Sequence, residues 1–64
     1  MADIIIVKIK GHAISNREAR LVSGGKIIAR SDFSSNSAQG RAAAIDRMIA
    51  KADKLGLNYS LKTA

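Results

Sequence analysis

Positively charged side chains recur along the predicted strands with a spacing that could bind phosphate. Side chains alternate between the two faces of a strand, so Ile5, Val7 and Ile9 are expected to face one way and their neighbours the other. If Ala19, Leu21, Ile27 and Ala29 join the first face, the opposite face carries these cations: Lys8, Lys10, Arg20, Lys26 and Arg30. Such a face could follow a nucleic-acid backbone, and a narrow sheet can enter a major groove. The alternative is an ordinary solvated face in which Lys and Arg stems cover apolar surface.

A second group of cations lies on the predicted helix. Arg47 and Lys51 are spaced i,i+4, and Lys51 and Lys54 are spaced i,i+3. Asp46 and Asp53 fall on a flank and pair with none of them. Like charges at these spacings cost a few tenths of a kcal/mol each, so this secondary basic face hints at an anionic partner, with a merely solvated surface as the alternative. The helix covers one side of the sheet, so a single duplex could not easily touch both basic faces.

Composition favours an anionic partner as well. The chain has 64 residues with 11 Lys and Arg against 5 Asp and Glu, a formal net charge of +6. The positive charge is spread over both halves of the chain, so it belongs to the folded body and attracts nucleic acid or an acidic protein surface. The lack of Cys fits a reducing compartment. The apolar run Ile4–Val7 is too short for a signal peptide or a membrane span, which predicts a soluble cytoplasmic protein without a membrane partner.

Other chemistry finds little support in the sequence. His12 is the only His and has neither Cys nor a carboxylate cluster beside it, so a metal or catalytic role is not expected. The stretch 23–26, Ser-Gly-Gly-Lys, lacks the glycine spacing of a phosphate-binding loop. Asp32, Asp46 and Asp53 form no pair for acid–base work. We therefore expect no enzyme activity, no metal and no cofactor.

The first strand has Ile on both faces. The β-branched run from Ile4 to Lys10 ends at Gly11 and predicts a strand. Ile4 and Ile6 would share a face with Lys8, which indicates a central strand or one covered by a partner chain. A bare run of this kind invites aggregation. A homodimer joined through Ile4–Val7 is therefore one possibility.

A hairpin is predicted next, from Glu18–Val22 and Lys26–Phe33. We prefer a three-residue loop, Ser23-Gly24-Gly25, with Gly in the left-handed last position. The following pairs are then opposed: Leu21 with Ile27, Ala19 with Ala29, and Glu18 with Arg30. A two-residue loop of Gly24 and Gly25 would instead set Ala19 against Arg30, which is less consistent with cross-strand pairing.

The one long helical signal runs from Ser34 to Gly56. Its apolar stripe consists of Ala38, Ala42, Ile45, Met48, Ile49, Ala52 and Leu55. Asn36 with Gln39 resembles a capping box, although Ser34 or Ser37 could be the cap instead. Gly56 suits the left-handed stop position, and Leu57 can then fold back onto Ala52.

Leu57, Tyr59 and Leu61 alternate with polar residues, which predicts a short fourth strand. We therefore expect a single α+β domain over residues 1–64, in the order β-β-β-α-β. Its three- to four-stranded antiparallel sheet would carry one long helix packed on one face.

This layout resembles small DNA-binding domains that read DNA with a sheet, such as the arm-binding domains of tyrosine recombinases. The resemblance lies in the strand from Gly25-Lys26 to Phe33 that leads into an Ala-rich helix, and it implies DNA binding. Phe33 and Tyr59 are the only aromatic residues, so a duplex backbone is a better target than splayed bases.

The prediction is thus a small basic non-enzymatic binding protein that contacts nucleic acid through the sheet cations. The small size and the lack of catalytic residues are also similar to accessory proteins of phages and mobile elements. That similarity implies the alternative function, binding and inhibiting or modulating an acidic protein partner.

Overall fold

The strands and the helix follow the expected order. In a computed structural model that describes residues 2–9 and 15–63, the elements are β1 (Ala2–Lys8), β2 (Arg17–Ser23), β3 (Lys26–Phe33), α1 (Ala38–Lys54) and β4 (Tyr59–Thr63). One helix packs on one face of a four-stranded sheet, which confirms the small α+β fold. Lys10 and the connection around His12 lie outside the described residues.

The sheet has the order β3-β2-β1-β4 and is mixed, where the sequence predicted an antiparallel sheet. β2 is antiparallel to both β1 and β3, whereas β4 pairs parallel to β1. The helix is the reason, because it returns the chain from the end of β3 to the end of the sheet where β1 begins. The following strand then has to run in the direction of β1. The central position expected for β1 is confirmed, since both of its edges are paired.

The hairpin has a two-residue turn, so the three-residue loop was wrong. Ser23 and Lys26 face each other across Gly24 and Gly25, whose φ angles of 59° and 78° suit a type I′ turn. A bulge follows, in which Ile28 is the additional residue of β3. The bulge shifts the register, and the observed pairs are Leu21 with Ala29, Ala19 with Ser31, Arg20 with Arg30, and Glu18 with Asp32.

The side chains of β1 occupy the opposite faces of the sheet from those predicted. Ile4 is fully buried opposite Leu21, whereas Ile5 and Val7 lie on the face that the helix does not cover. Because the run Ile4–Val7 is apolar at every position, alternation alone could not define its orientation, and the register with β2 decides it. The core consists of Ala2, Ile4, Ala19, Leu21, Phe33, Ala44, Met48 and Ala52.

The helix is capped by Ser37, one of the two residues that the sequence left open as caps beside Asn36. Ser37 Oγ accepts a hydrogen bond from the Gly40 N–H at 2.9 Å, so the Asn36 capping box is not the one used. At the other end the Leu57 N–H donates to the Ala52 carbonyl at 2.9 Å and Gly56 has φ 68°, which confirms the predicted stop. Of the predicted apolar stripe, three residues are exposed and belong to no core: Ala38, Ala42 and Leu55.

Candidate nucleic-acid interface

The sheet face opposite the helix, called the open face here, holds two of the four predicted sheet cations that the structure describes. Arg20 and Arg30 sit side by side across β2 and β3. One step further along the same strands, Glu18 and Asp32 are also side by side. Each arginine therefore has a carboxylate as its nearest charged neighbour along its own strand. The open face is not a purely basic surface.

Ion pairs neutralise part of this face. Arg20 Nε lies 2.6 Å from Glu18 Oε1, and the Glu18 side chain is only 12% exposed. Lys62 Nζ lies 3.4 Å from Asp3 Oδ2 at the β1–β4 edge. Lys62 was not among the predicted sheet cations, although the alternation of Tyr59 and Leu61 with polar residues places it on the face opposite to them. The described cations of the open face are Arg20, Arg30 and Lys62. They are matched in number by three carboxylates of the same face: Asp3, Glu18 and Asp32.

Lys8 and Lys26 lie on the other face of the sheet, so the prediction that all five cations share one face was wrong. Lys8 is on the helix-side face, opposite Arg17 at the end of the sheet where α1 begins. Lys26 is on the helix side at the opposite end, paired with Ser23. The cause is the reversed orientation of β1 together with the short turn, which moves both lysines to the other face. Lys10 is outside the described residues.

The predicted helix cations lie towards β3. Arg47 Nη1 donates a hydrogen bond to Ser31 Oγ at 2.9 Å, which fixes this side of α1 above the edge strand. Lys51 and Lys54 continue along the same side of the helix through its last turns. From Arg47 to Lys54 the helix advances by about 10 Å, at about 1.5 Å per residue. Arg47 and Lys54 are exposed, and Lys51 is half-buried.

Lys26 extends this group of cations. The helix runs from the Phe33 end of β3, where Gly40 packs against Phe33, back towards the end where β3 begins with Lys26. Lys26 is exposed on the helix side of the same edge strand. We call the resulting surface the basic ridge; it consists of Lys26, Arg47, Lys51 and Lys54. The two-residue Gly-Gly turn was the signal in the sequence that places Lys26 there.

The basic ridge differs from the open face in having no carboxylate partner. Within residues 2–9 and 15–63, none of the four ridge cations forms an ion pair. By the periodicity of the helix, Asp46 and Asp53 fall on the flank away from these cations. Lys51 and Lys54 also stand in the last turn, where cations stabilise the negative end of the helix dipole by roughly 0.3–1 kcal/mol each. Part of the positive charge of the ridge is therefore explained by its stabilising effect on the helix.

The described part of the chain offers little for other kinds of site, such as a metal site or an aromatic surface that stacks on bases. The described side chains include no group of three or more His, Cys, Asp or Glu that could hold a metal ion. Phe33 is buried in the core, whereas Tyr59 is 36% exposed. Among the described residues there is no helix long and apolar enough to cross a membrane.

The fold and the ridge define the protein as a small two-layer α+β domain that carries, among its described residues, a basic surface without paired carboxylates. No protein-family model matches the chain, and the searches of curated proteins and of solved structures return no significant match.

Proposed function

We propose that the protein is a non-enzymatic binding protein that contacts the phosphate backbone of duplex nucleic acid through the basic ridge. The observation that carries this proposal is the absence, within the described residues, of any carboxylate paired with Lys26, Arg47, Lys51 or Lys54. Cations without protein counter-charges are free to replace the condensed counterions of a nucleic acid. The open face is the less favourable surface for a polyanion, because carboxylates balance its cations.

The dimensions of the ridge suit a short stretch of backbone. One strand of a duplex presents a phosphate about every 3.4 Å along the axis. The helix part of the ridge, about 10 Å from Arg47 to Lys54, therefore spans about three phosphates. Contacts of this number support weak binding without sequence preference, with a dissociation constant of about 1–100 μM at physiological salt. Duplex is preferred over single strands because Phe33 is buried, which leaves Tyr59 as the one aromatic side chain among the described residues that could stack on a base.

Fluorescence anisotropy with a labelled random-sequence duplex, repeated across a salt series, tests the proposal. The logarithm of the binding constant should fall with the logarithm of salt concentration with a slope of about −3. Lys51→Gln with Lys54→Gln should reduce the magnitude of this slope by about 2. Neutral glutamine is chosen because a reversed charge would also oppose the helix dipole.

The matched control is Arg30→Gln with Lys62→Gln, which removes the same charge from exposed positions on the open face. The control should keep both the slope and most of the affinity. Equal losses in the two double variants would show that overall charge matters and that the ridge is not a site. No binding to duplex at low salt would contradict the nucleic-acid proposal and direct the search to an acidic protein partner.

A further inference from the structure

The open face carries apolar side chains that no described element covers. Ile5 and Val7 of β1 and Val22 of β2 are half-buried there, and the helix packs on the opposite side of the sheet. Ile27 at the start of β3 is 45% exposed and pairs with Val22. Clustered aliphatic side chains on an uncovered face are typical of an interaction surface.

The charges of the open face form two parallel rows. The register places Arg30, Arg20 and Ile5 side by side across β3, β2 and β1. Asp32, Glu18 and Val7 form the next row on the same strands, about 7 Å away. Like charges that lie directly opposite each other are unfavourable within one sheet. The arrangement becomes favourable when a surface with the inverse order of charges lies on it.

We propose that a second copy of this chain covers the open face, with the two sheets stacked about a twofold axis that runs across the strands between the two rows. This axis lays each row over the other row of the second copy. Glu18 and Asp32 of one copy then face Arg20 and Arg30 of the other, and the same contacts recur in reverse. Val7 of one copy lies over Ile5 of the other, so the apolar positions also match.

The packing geometry allows these contacts. Aligned sheets pack about 10 Å apart with their strands within about 30° of each other, so facing side chains near the axis remain in register. A twofold axis along the strands would instead bring arginine onto arginine. Nucleic acid gains little on this face, because its carboxylates balance its cations. The stacked dimer leaves both basic ridges on its outer surfaces, and it does not depend on the function proposed for them.

Sedimentation equilibrium of the full chain without nucleic acid, over a range up to about 300 μM, is the first test. The wild-type chain should dimerise. Arg20→Glu with Arg30→Glu makes both rows acidic, and Glu18→Arg with Asp32→Arg makes both rows basic. Each double variant alone should dimerise at least about tenfold more weakly, because like charges then meet across the axis. An equimolar mixture of the two should form a one-to-one heterodimer.

The matched control is Arg47→Glu with Lys54→Glu, which changes the net charge by the same amount on the ridge and should leave dimerisation unchanged. Circular dichroism checks that each variant is folded. Val7→Asn provides a second route to the same answer, since it removes the apolar contact without changing the charge of the face and should also weaken the dimer. A wild-type chain that remains monomeric overturns the proposal, and so does a dimer that every open-face variant leaves intact.

Discussion

The open face and the basic ridge carry similar numbers of cations but differ in what surrounds each charge. On the open face Arg20 contacts Glu18 and Lys62 contacts Asp3. On the ridge Arg47 contacts the neutral hydroxyl of Ser31. A balanced surface with apolar side chains suits another protein surface, whereas an unbalanced one suits a polyanion. Counting cations is therefore a poor guide to binding unless the positions of the carboxylates are known.

Both surfaces depend on one thin core, which gives the largest expected effect. Leu21 is fully buried, and Leu21→Ala should cost about 2–5 kcal/mol. A domain of this size has roughly 3–10 kcal/mol of stability in total, so much of that variant should be unfolded at 37 °C. Urea denaturation followed by circular dichroism measures the loss.

The matched control for Leu21 is Leu61→Ala. Leu61 lies in the same cross-strand row and on the same face, but it is 51% exposed beyond the helix. Its truncation should change stability by less than about 1 kcal/mol. Similar losses of stability for the two leucine variants would mean that a partner covers Leu61 on β4. The open face would then not be the only apolar surface available to a partner.

A smaller effect separates the two surfaces directly. Arg20→Ala leaves the largely buried Glu18 carboxylate without its partner, which should cost about 1–2 kcal/mol. Arg47→Ala removes only an exposed hydrogen bond to Ser31 and should cost about 0.5 kcal/mol or less. Thermal unfolding should show a clear decrease in Tm for the first variant and little change for the second. A larger decrease in Tm for Arg47→Ala than for Arg20→Ala would mean that structural contacts stabilise the ridge and not the open face.

An effect slightly smaller than that of Arg20→Ala is expected at the N-cap of the helix that carries the ridge. Ser37→Ala removes the N-cap acceptor of the Gly40 N–H and should destabilise the protein by about 1 kcal/mol, or about 4–8 °C in Tm. Asn36→Ala should change Tm less, because Asn36 is exposed and does not cap the helix. Duplex binding should persist in the folded fraction of both, since the ridge occupies the other half of the helix. Loss of binding with unchanged stability would place the site at the helix N-terminus.

The helix and the strands differ in how well the amino-acid sequence predicts them. The helix and its stop were predictable because they depend on local signals, an apolar periodicity of 3.6 and Gly56 after the last turn. The orientation of β1 was not, because Ile4–Val7 is apolar on both faces. The register of the hairpin was mispredicted because the bulge at Ile28 has no distinctive sequence pattern. The turn, one residue shorter than predicted, moved Lys26 to the helix side, and the turn and the bulge together moved the partner of Arg30 by two positions, from Glu18 to Arg20.

The amino-acid sequence by itself determined the α+β class, the element order, the helix with its basic stripe and the positive net charge, because composition and local periodicity encode these properties. Only the tertiary structure decided which cations share a surface and which lie beside carboxylates. The physical reason is that strand pairing is non-local: one turn type, one bulge and one choice of buried face set the neighbours of every charge on the sheet.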